Sequence, residues 1–418
     1  MHHLQRTSIA AIVLMMLLMC CASRGAAAGA DPDPQMFTFN AFGTLGVVHS
    51  SDSQADFSSS TTKPSGAGYS HSWSADVDSR IGAQLTAKVT SRLSAVLQIV
   101  SEQNYANSYR PEVEWANIKY QLTPDFDIRL GRIELPQFLV SDARKVGFVN
   151  PWVRPPVEVY NIEPLTNNDG IDLSYRLHLG DATTTLAAEY GRSSRIDFPL
   201  HESVESQDVR ALIVKTEYGA ALFNLSYLAA HATLDPIVAL FPAYRELGPP
   251  GDAIANTYEL VDKLATVISA GASYDPGRWF AMGEWIQFDS RSFIGVSNGW
   301  YVSGGYRMAK LTPYLTYSAL TVSPTSSAGV NAAALPAYLA GFASPLNGAL
   351  NQVLGQRPAQ RTVAAGARWD FARNLDLKLQ IDHTRLGPGS PGTLVNLQPG
   401  FRFGGTDNLF SAAIDFVF

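Results

Sequence analysis

Asn408-Leu-Phe-Ser-Ala-Ala-Ile-Asp-Phe-Val-Phe418 alternates apolar with small or polar side chains and ends on an aromatic residue. Phe410, Ala412, Ile414, Phe416 and Phe418 share one side; Leu409, Ser411, Ala413, Asp415 and Val417 share the other. A period of two belongs to a strand, not a helix. One face suits lipid and the other is mixed, as in the closing strand of a membrane barrel. A strand of a soluble sandwich alternates in the same way, so the rest of the chain decides between them.

The opposite end reads as an export signal. Met1 to Arg6 is mildly basic, Ile9 to Met19 is apolar, and Ala26-Ala-Ala-Gly-Ala30 is small. The apolar run is shorter than the ~20 residues of a spanning helix, so residues 1–30 are expected to be removed and the mature chain, 31–418, to begin at Asp31. Ala26-Ala27-Ala28 offers a second cut of the same shape. Cys20 and Cys21 then leave with the signal. Leu17-Leu18-Met19 ahead of them lacks the small side chains that processing to a lipoprotein needs.

The remaining 388 residues hold no cysteine, so disulfides play no part in their stability. Losing Arg6 and Arg24 leaves 29 basic against 37 acidic residues, a net charge of −8, which argues against nucleic acid as a partner. Beyond the signal, no stretch approaches 18 uninterrupted apolar residues, so membrane-crossing helices are not expected. Only a closed barrel then satisfies its backbone inside a bilayer.

Two-periodic segments recur along the chain: Phe37 to Val47, Arg80 to Val89, Leu93 to Val100, Val113 to Leu122, Phe126 to Arg132, Gly170 to Leu179, Ala182 to Gly191 and Asp208 to Tyr218. Ala221 to Ala230, Ala265 to Tyr274, Trp279 to Asp289, Gly299 to Met308, Thr312 to Val322, Arg361 to Asp370, Leu375 to Thr384 and the terminal strand complete sixteen. Each has the ~9–11 residue length of a tilted membrane strand. Seven short turns alternate strictly with eight long loops. The expected fold is therefore all-β: a transmembrane, antiparallel, up-and-down barrel of sixteen strands.

Arg80 to Val89 shows the expected sidedness, with Ile81, Ala83, Leu85, Ala87 and Val89 outward and Arg80, Gly82, Gln84, Thr86 and Lys88 inward. Tyr120, Phe126, Tyr218, Tyr274, Trp279, Phe280, Trp369 and Phe371 gather beside the short turns like an interfacial girdle. Trp279 to Phe288 defies assignment: the row Phe280, Met282, Glu284, Ile286, Phe288 looks outward apart from Glu284, while the other row holds Trp279 and Trp285.

The third long loop concentrates charge, and Pro136, Pro151, Pro155 and Pro156 stiffen it. With a signal, sixteen strands, Arg129-Leu-Gly-Arg132 ahead of this loop and a terminal Phe, the chain resembles the porins of Gram-negative bacteria across essentially all of 31–418. That resemblance implies a third loop folded into the lumen, a homotrimer in the outer membrane, and contact with outer-membrane lipid. Ser141-Asp142 through Val159-Tyr160 departs from the Pro-Glu-Phe-Gly-Gly loop of the general porins, so their constriction does not carry over.

If the loop enters the lumen, Glu134, Asp142, Arg144, Lys145, Arg154 and Glu158 are the candidate constriction, facing the wall residues Arg80, Lys88, Lys119 and Arg129 across a transverse field. The expected function is a water-filled channel for passive diffusion of small hydrophilic solutes and ions. A substrate-specific channel and a non-conducting structural or adhesin barrel are the alternatives. Loop 323–360 is apolar enough at Ala332 to Ala340 and Leu350 to Leu354 for short helices that cap the mouth or meet a neighbouring subunit.

No catalytic, cofactor or metal site is expected: Cys-x-x-Cys, His-Glu-x-x-His and P-loop patterns are absent from the sequence. His71-Ser72 lies in a Ser-rich loop with nothing to orient it. His178 and His383 read as lone, hydrogen-bonded lumen residues.

Overall fold

The computed structural model describes residues 36–418 apart from 164, 194, 200–202, 236–239, 324 and 356; the expected signal, 1–30, lies outside the described residues. Sixteen long strands run β1 Phe37–Ser50, β2 Arg80–Lys88, β3 Leu93–Glu102, β4 Glu112–Thr123, β5 Phe126–Glu134, β6 Asn167–Leu179, β7 Ala182–Arg192 and β8 Ser203–Tyr218. They continue as β9 Ala221–Asp235, β10 Lys263–Tyr274, β11 Trp279–Asp289, β12 Val296–Tyr306, β13 Leu311–Val322, β14 Gln360–Ala372, β15 Leu375–Leu386 and β16 Thr406–Val417. Each pairs antiparallel with its neighbours, and short strands from the first and fourth long loops extend the same sheet.

β1 closes the cylinder by pairing with both β2, from Phe37↔Ala87 to Thr44↔Arg80, and β16, from Phe42↔Val417 to Ser50↔Leu409. Phe418 and Ala41 exchange backbone hydrogen bonds of 2.7 and 2.9 Å at the foot of this seam. Closure pairs each of the sixteen long strands on both sides, the condition for a sheet surrounded by lipid.

Local chemistry sets the short turns. The two-residue hairpins after Leu179 and Tyr218 start on Gly180 and Gly219 at φ +62° and +57°, the left-handed backbone that primed turns need. At the β2–β3 turn the Thr90 hydroxyl accepts from the Leu93 amide at 2.9 Å, and at the β4–β5 turn Thr123 does the same for Phe126 at 3.0 Å.

The outward rows are greasy and open: Leu130, Leu212 and Ile381 are 62, 61 and 58 % exposed. Covering such side chains with an apolar medium is worth roughly 1.5–3 kcal/mol each, so this surface calls for lipid. Tyr120, Tyr218, Tyr274, Trp279 and Trp369 stand exposed beside the short turns, as the girdle requires.

On β11 the structure decides a facing that the sequence left unassigned. Phe280, Glu284 and Ile286 are buried and point inward, while Trp279 and Trp285 are exposed. Register carries the assignment, since Glu284 pairs with Gly271 and Tyr301 on the inner rows of β10 and β12. An apolar row can face the lumen here because the third loop covers it. Phe280 therefore leaves the girdle. His383 likewise lies beside exposed Val363 on the outer face, where it bonds Asn408 at 2.7 Å.

Among the described residues, three helices of six residues or more occupy the long loops: α1 Leu240–Arg245, α2 Pro249–Tyr258 and α3 Ala337–Gly355. They pack on one another through Tyr244, Ala255, Leu350 and Leu354. Loop 323–360 is thus one nineteen-residue helix over much of its length, not two short ones, and α1 and α2 were unforeseen. No helix among the described residues is long and apolar enough to cross a membrane.

Candidate functional site: the third loop inside the barrel

Strand parity gives the inner wall two arcs. From β8 to β13 it presents Val209, Ile213, Leu228, Val267, Ile286 and Tyr301; from β14 through β1 to β7 it is mostly polar and charged. The third loop, between β5 and β6, is fastened to both.

Against the apolar arc it lays Phe138, Trp152 and Tyr160, all buried. Phe138 and Tyr160 pack as a tilted pair with ring centroids 4.7 Å apart, and Trp152 meets the Tyr301 ring edge-on at 5.6 Å. The Trp152 indole donates to Ser303 and Thr316 at 2.8 and 3.1 Å, satisfying the one polar atom that its burial would strand. Glu284 accepts from the Leu139 amide at 2.8 Å and from the hydroxyls of Tyr301 and Tyr160 at 2.7 and 2.5 Å. Glu158, on a single helical turn Val157–Tyr160, accepts from Ser318, Gln360 and Thr362 at 2.8, 2.6 and 2.5 Å. Gly299 on β12 lets that turn approach, since a Cβ there would strike the Glu158 carbonyl.

Across the lumen the loop meets charge. Arg154 pairs with Asp78 at 2.5 Å and Asp382 at 3.3 Å, donates to Ser411 at 2.7 Å, and lies 5.1 Å above the Phe57 ring. Burial pushes the Asp78 carboxyl up, but the Arg154 guanidinium outweighs it and holds the group below the usual carboxylate range. Lys145 bridges Glu102 and Glu114 at 2.7 and 3.0 Å, and this pairing keeps its ammonium charged despite burial. Lys378 reaches in from β15 to the Gly147 carbonyl at 2.6 Å.

The remaining candidates sort as follows. Arg144 donates to the Tyr160 carbonyl and stacks 5.4 Å from that ring. Asp142 is exposed on the turn Ser141–Ala143, and Glu134 is half-buried at the end of β5. Arg80 sits 3.7 Å from Glu102, Lys119 is 2.9 Å from Asp127, Arg129 is 2.8 Å from Asp172, and Lys88 is exposed at the end of β2. Among the described residues, Glu134, Asp142 and Glu158 form no ion pair with these four bases. In the loop's observed ion pairs, cations on the loop meet carboxylates on the wall and first loop. Parity told which side each strand residue faces, but not which arc lies opposite the loop, so Asp78, Glu102, Asp382 and Glu284 went unnoticed as its partners.

Above the loop, a polar cavity of about 510 Å³ includes Glu102, Arg110, Glu112, Glu114, Arg132 and Lys145. It shares Glu102, Gln103, Lys145 and Thr166 with a cleft of about 130 Å³ that descends to Arg154.

This architecture, a sixteen-stranded barrel with its third loop folded inward, is that of the outer-membrane porins. The outer membrane channel DcaP of Acinetobacter baumannii matches with a TM-score of 0.53 at 10 % identity, over 94 % of this chain and all of that one. OmpF of Salmonella typhi, solved in complex with daunomycin, has a TM-score of 0.52 at 12 % identity, covering 91 and 97 %. The anion-selective porin of Comamonas acidovorans has a TM-score of 0.52 at 11 % identity, covering 91 and 99 %. No family model matches the sequence, and no curated protein does. At such identities the likeness establishes the fold.

Proposed function

We propose that the chain is an outer-membrane channel of a Gram-negative bacterium through which small hydrophilic solutes and ions diffuse passively, with the inserted third loop as its constriction. What supports this most is the loop itself: a stiff segment fastened to opposite arcs of a barrel that is greasy outside and charged within. Charged groups held at fixed positions beside a narrow path select by size and sign, without chemistry on the solute. Glu134, Asp142, Arg144, Lys145, Arg154 and Glu158 belong to the loop lining, and Arg80, Lys88, Lys119 and Arg129 to the wall. Residues 1–30 serve as the export signal, and three copies assemble, as the porin resemblance implies.

The purified mature chain, residues 31–418, in a planar bilayer tests this reading. Discrete, ohmic conductance steps in KCl are the expected result. Silence at every protein concentration would overturn the channel and favour a structural barrel. Mass measurement in detergent, with subtraction of the bound detergent, checks the trimer.

A further inference from the structure

The outer vestibule holds a second cavity, of about 380 Å³, whose character is foreign to a path for ions. Its walls are Leu228, Val267 and Phe288 from the barrel, Ile162 and Leu165 from the third loop, and Leu394 from the last loop. Besides the hydroxyls of Thr61, Ser206, Ser297 and Thr393, its polar lining includes Asn161 and Glu163, whose Nδ2 and Oε2 atoms are buried without a hydrogen-bond partner. Burial pushes the Glu163 carboxyl up to about 7, so near neutrality it carries a proton for a large share of the time. Unsatisfied polar atoms at the end of an apolar cavity are costly unless a ligand engages them.

Thr61 and Asn161 line this cavity and also the narrow cleft beside it. That cleft gathers Lys63, Arg80, Arg144, Lys145 and Arg154 around one carboxylate, Glu102. Asp78, Asp382 and Glu114 satisfy Arg154 and Lys145. Arg144 and Lys63 have no carboxylate within ion-pair distance among the described residues; Lys63 donates only to the carbonyls of Asp76 and Val77, at 3.0 and 2.8 Å. Burial lowers Lys63 to about 8, which leaves it mostly charged at neutral pH. An apolar chamber thus adjoins, at Thr61 and Asn161, a cleft in which two cations lack an ion-pair partner among the described residues.

We infer that the vestibule is a binding site for amphipathic organic anions, with the apolar body in the Leu228–Val267–Phe288 chamber and the anionic head beside Lys63 and Arg144. The inference deepens the channel reading and rests on it, by naming the solute class that the vestibule captures. A phenyl-sized body suits the chamber, and a carboxylate suits the cleft. The Asn161 amide, between them, donates to the head.

The test is isothermal titration of the full chain in detergent with 3-phenylpropionate, acetate as head alone, and 3-phenylpropanol as body alone. Burial of the phenyl group predicts that 3-phenylpropionate binds about 10–100-fold more tightly than acetate. It should also exceed 3-phenylpropanol by about tenfold. Ala230→Phe, which fills the chamber from the wall, should reduce 3-phenylpropionate to the level of acetate; Lys63→Met should reduce it to that of 3-phenylpropanol. Circular dichroism on each variant confirms an intact barrel, and Arg144→Gln replaces Lys63→Met if the latter fails to fold. Equal affinity for the three probes, or affinity indifferent to the folded variants, overturns the site. KCl conductance of the same preparation reports separately on the channel: steps without selective binding sink this inference alone, and selective binding without steps sinks the channel alone.

Discussion

The Glu284 carboxylate on β11 receives the backbone amide of Leu139, in the third loop, at 2.8 Å. A carboxyl group in an otherwise apolar inner row is the peg on which the loop hangs, and the hydroxyls of Tyr160 and Tyr301 complete its shell. Glu284→Ala removes the shared acceptor of three buried donors, at a cost of about 1–3 kcal/mol for each group left unsatisfied. Single-channel conductance should rise and its noise increase as the loop loosens, with Glu284→Gln intermediate. A conductance equal to wild type in Glu284→Ala would show that the aromatic contacts hold the loop alone.

Arg154 lies between two carboxylates. Arg154→Ala leaves Asp78 and Asp382 buried and uncompensated, which should destabilise the barrel by about 3–5 kcal/mol and turn the local field negative. Reversal potentials in a salt gradient should shift toward cations. Arg129→Ala, which exposes Asp172, should act in the same direction. No shift in either variant would place both side chains away from the ion path.

Glu163 predicts a pH dependence. Its carboxyl moves from 4.5 in an open chain to about 7 through burial, so the folded state keeps a proton that the unfolded state gives up. The stability it contributes is whole below about 4.5 and is lost as pH rises through 7, a change of about 3 kcal/mol. Thermal unfolding followed by circular dichroism in detergent should show a midpoint that falls across this window. Glu163→Gln should flatten that part of the curve; an unchanged slope would mean other groups set it.

Gly299→Leu would drive a side chain into the Glu158 carbonyl and lift the loop from β12. Gly147→Val would do so from the opposite arc, where a Cβ strikes Asp415 and Thr44. Trypsin should then cut after Arg144 or Lys145, both partly buried in the native loop, at least tenfold faster than in wild type. Equal cleavage rates would show that the loop accommodates the intrusion.

Alternation along the chain carried almost the whole barrel, because lipid outside and a wet lumen impose opposite demands on successive residues. It failed where the backbone broke its own period. β8 begins at Ser203, five residues before the expected Asp208, since a bulge between Gln207 and Arg210, with Asp208 at φ +50°, resets the parity. β11 stayed unassigned for a different reason: an apolar inner row is indistinguishable from a lipid-facing one until its cover is known. The loop's partners were still less legible. Asp78 lies 76 residues before Arg154 and Asp382 lies 228 after it, and only closure of the cylinder brings the three together.

A barrel with one oily inner arc cannot be widened simply by emptying it. Excising the segment from Leu135 to Tyr160 would leave Ile213, Phe280, Ile286 and Tyr301 facing water, a strip that invites detergent, lipid tails or another chain to take the vacated place. The insert is to this hollow protein what a hydrophobic interior is to a solid one, so its sequence answers to folding as well as to permeation.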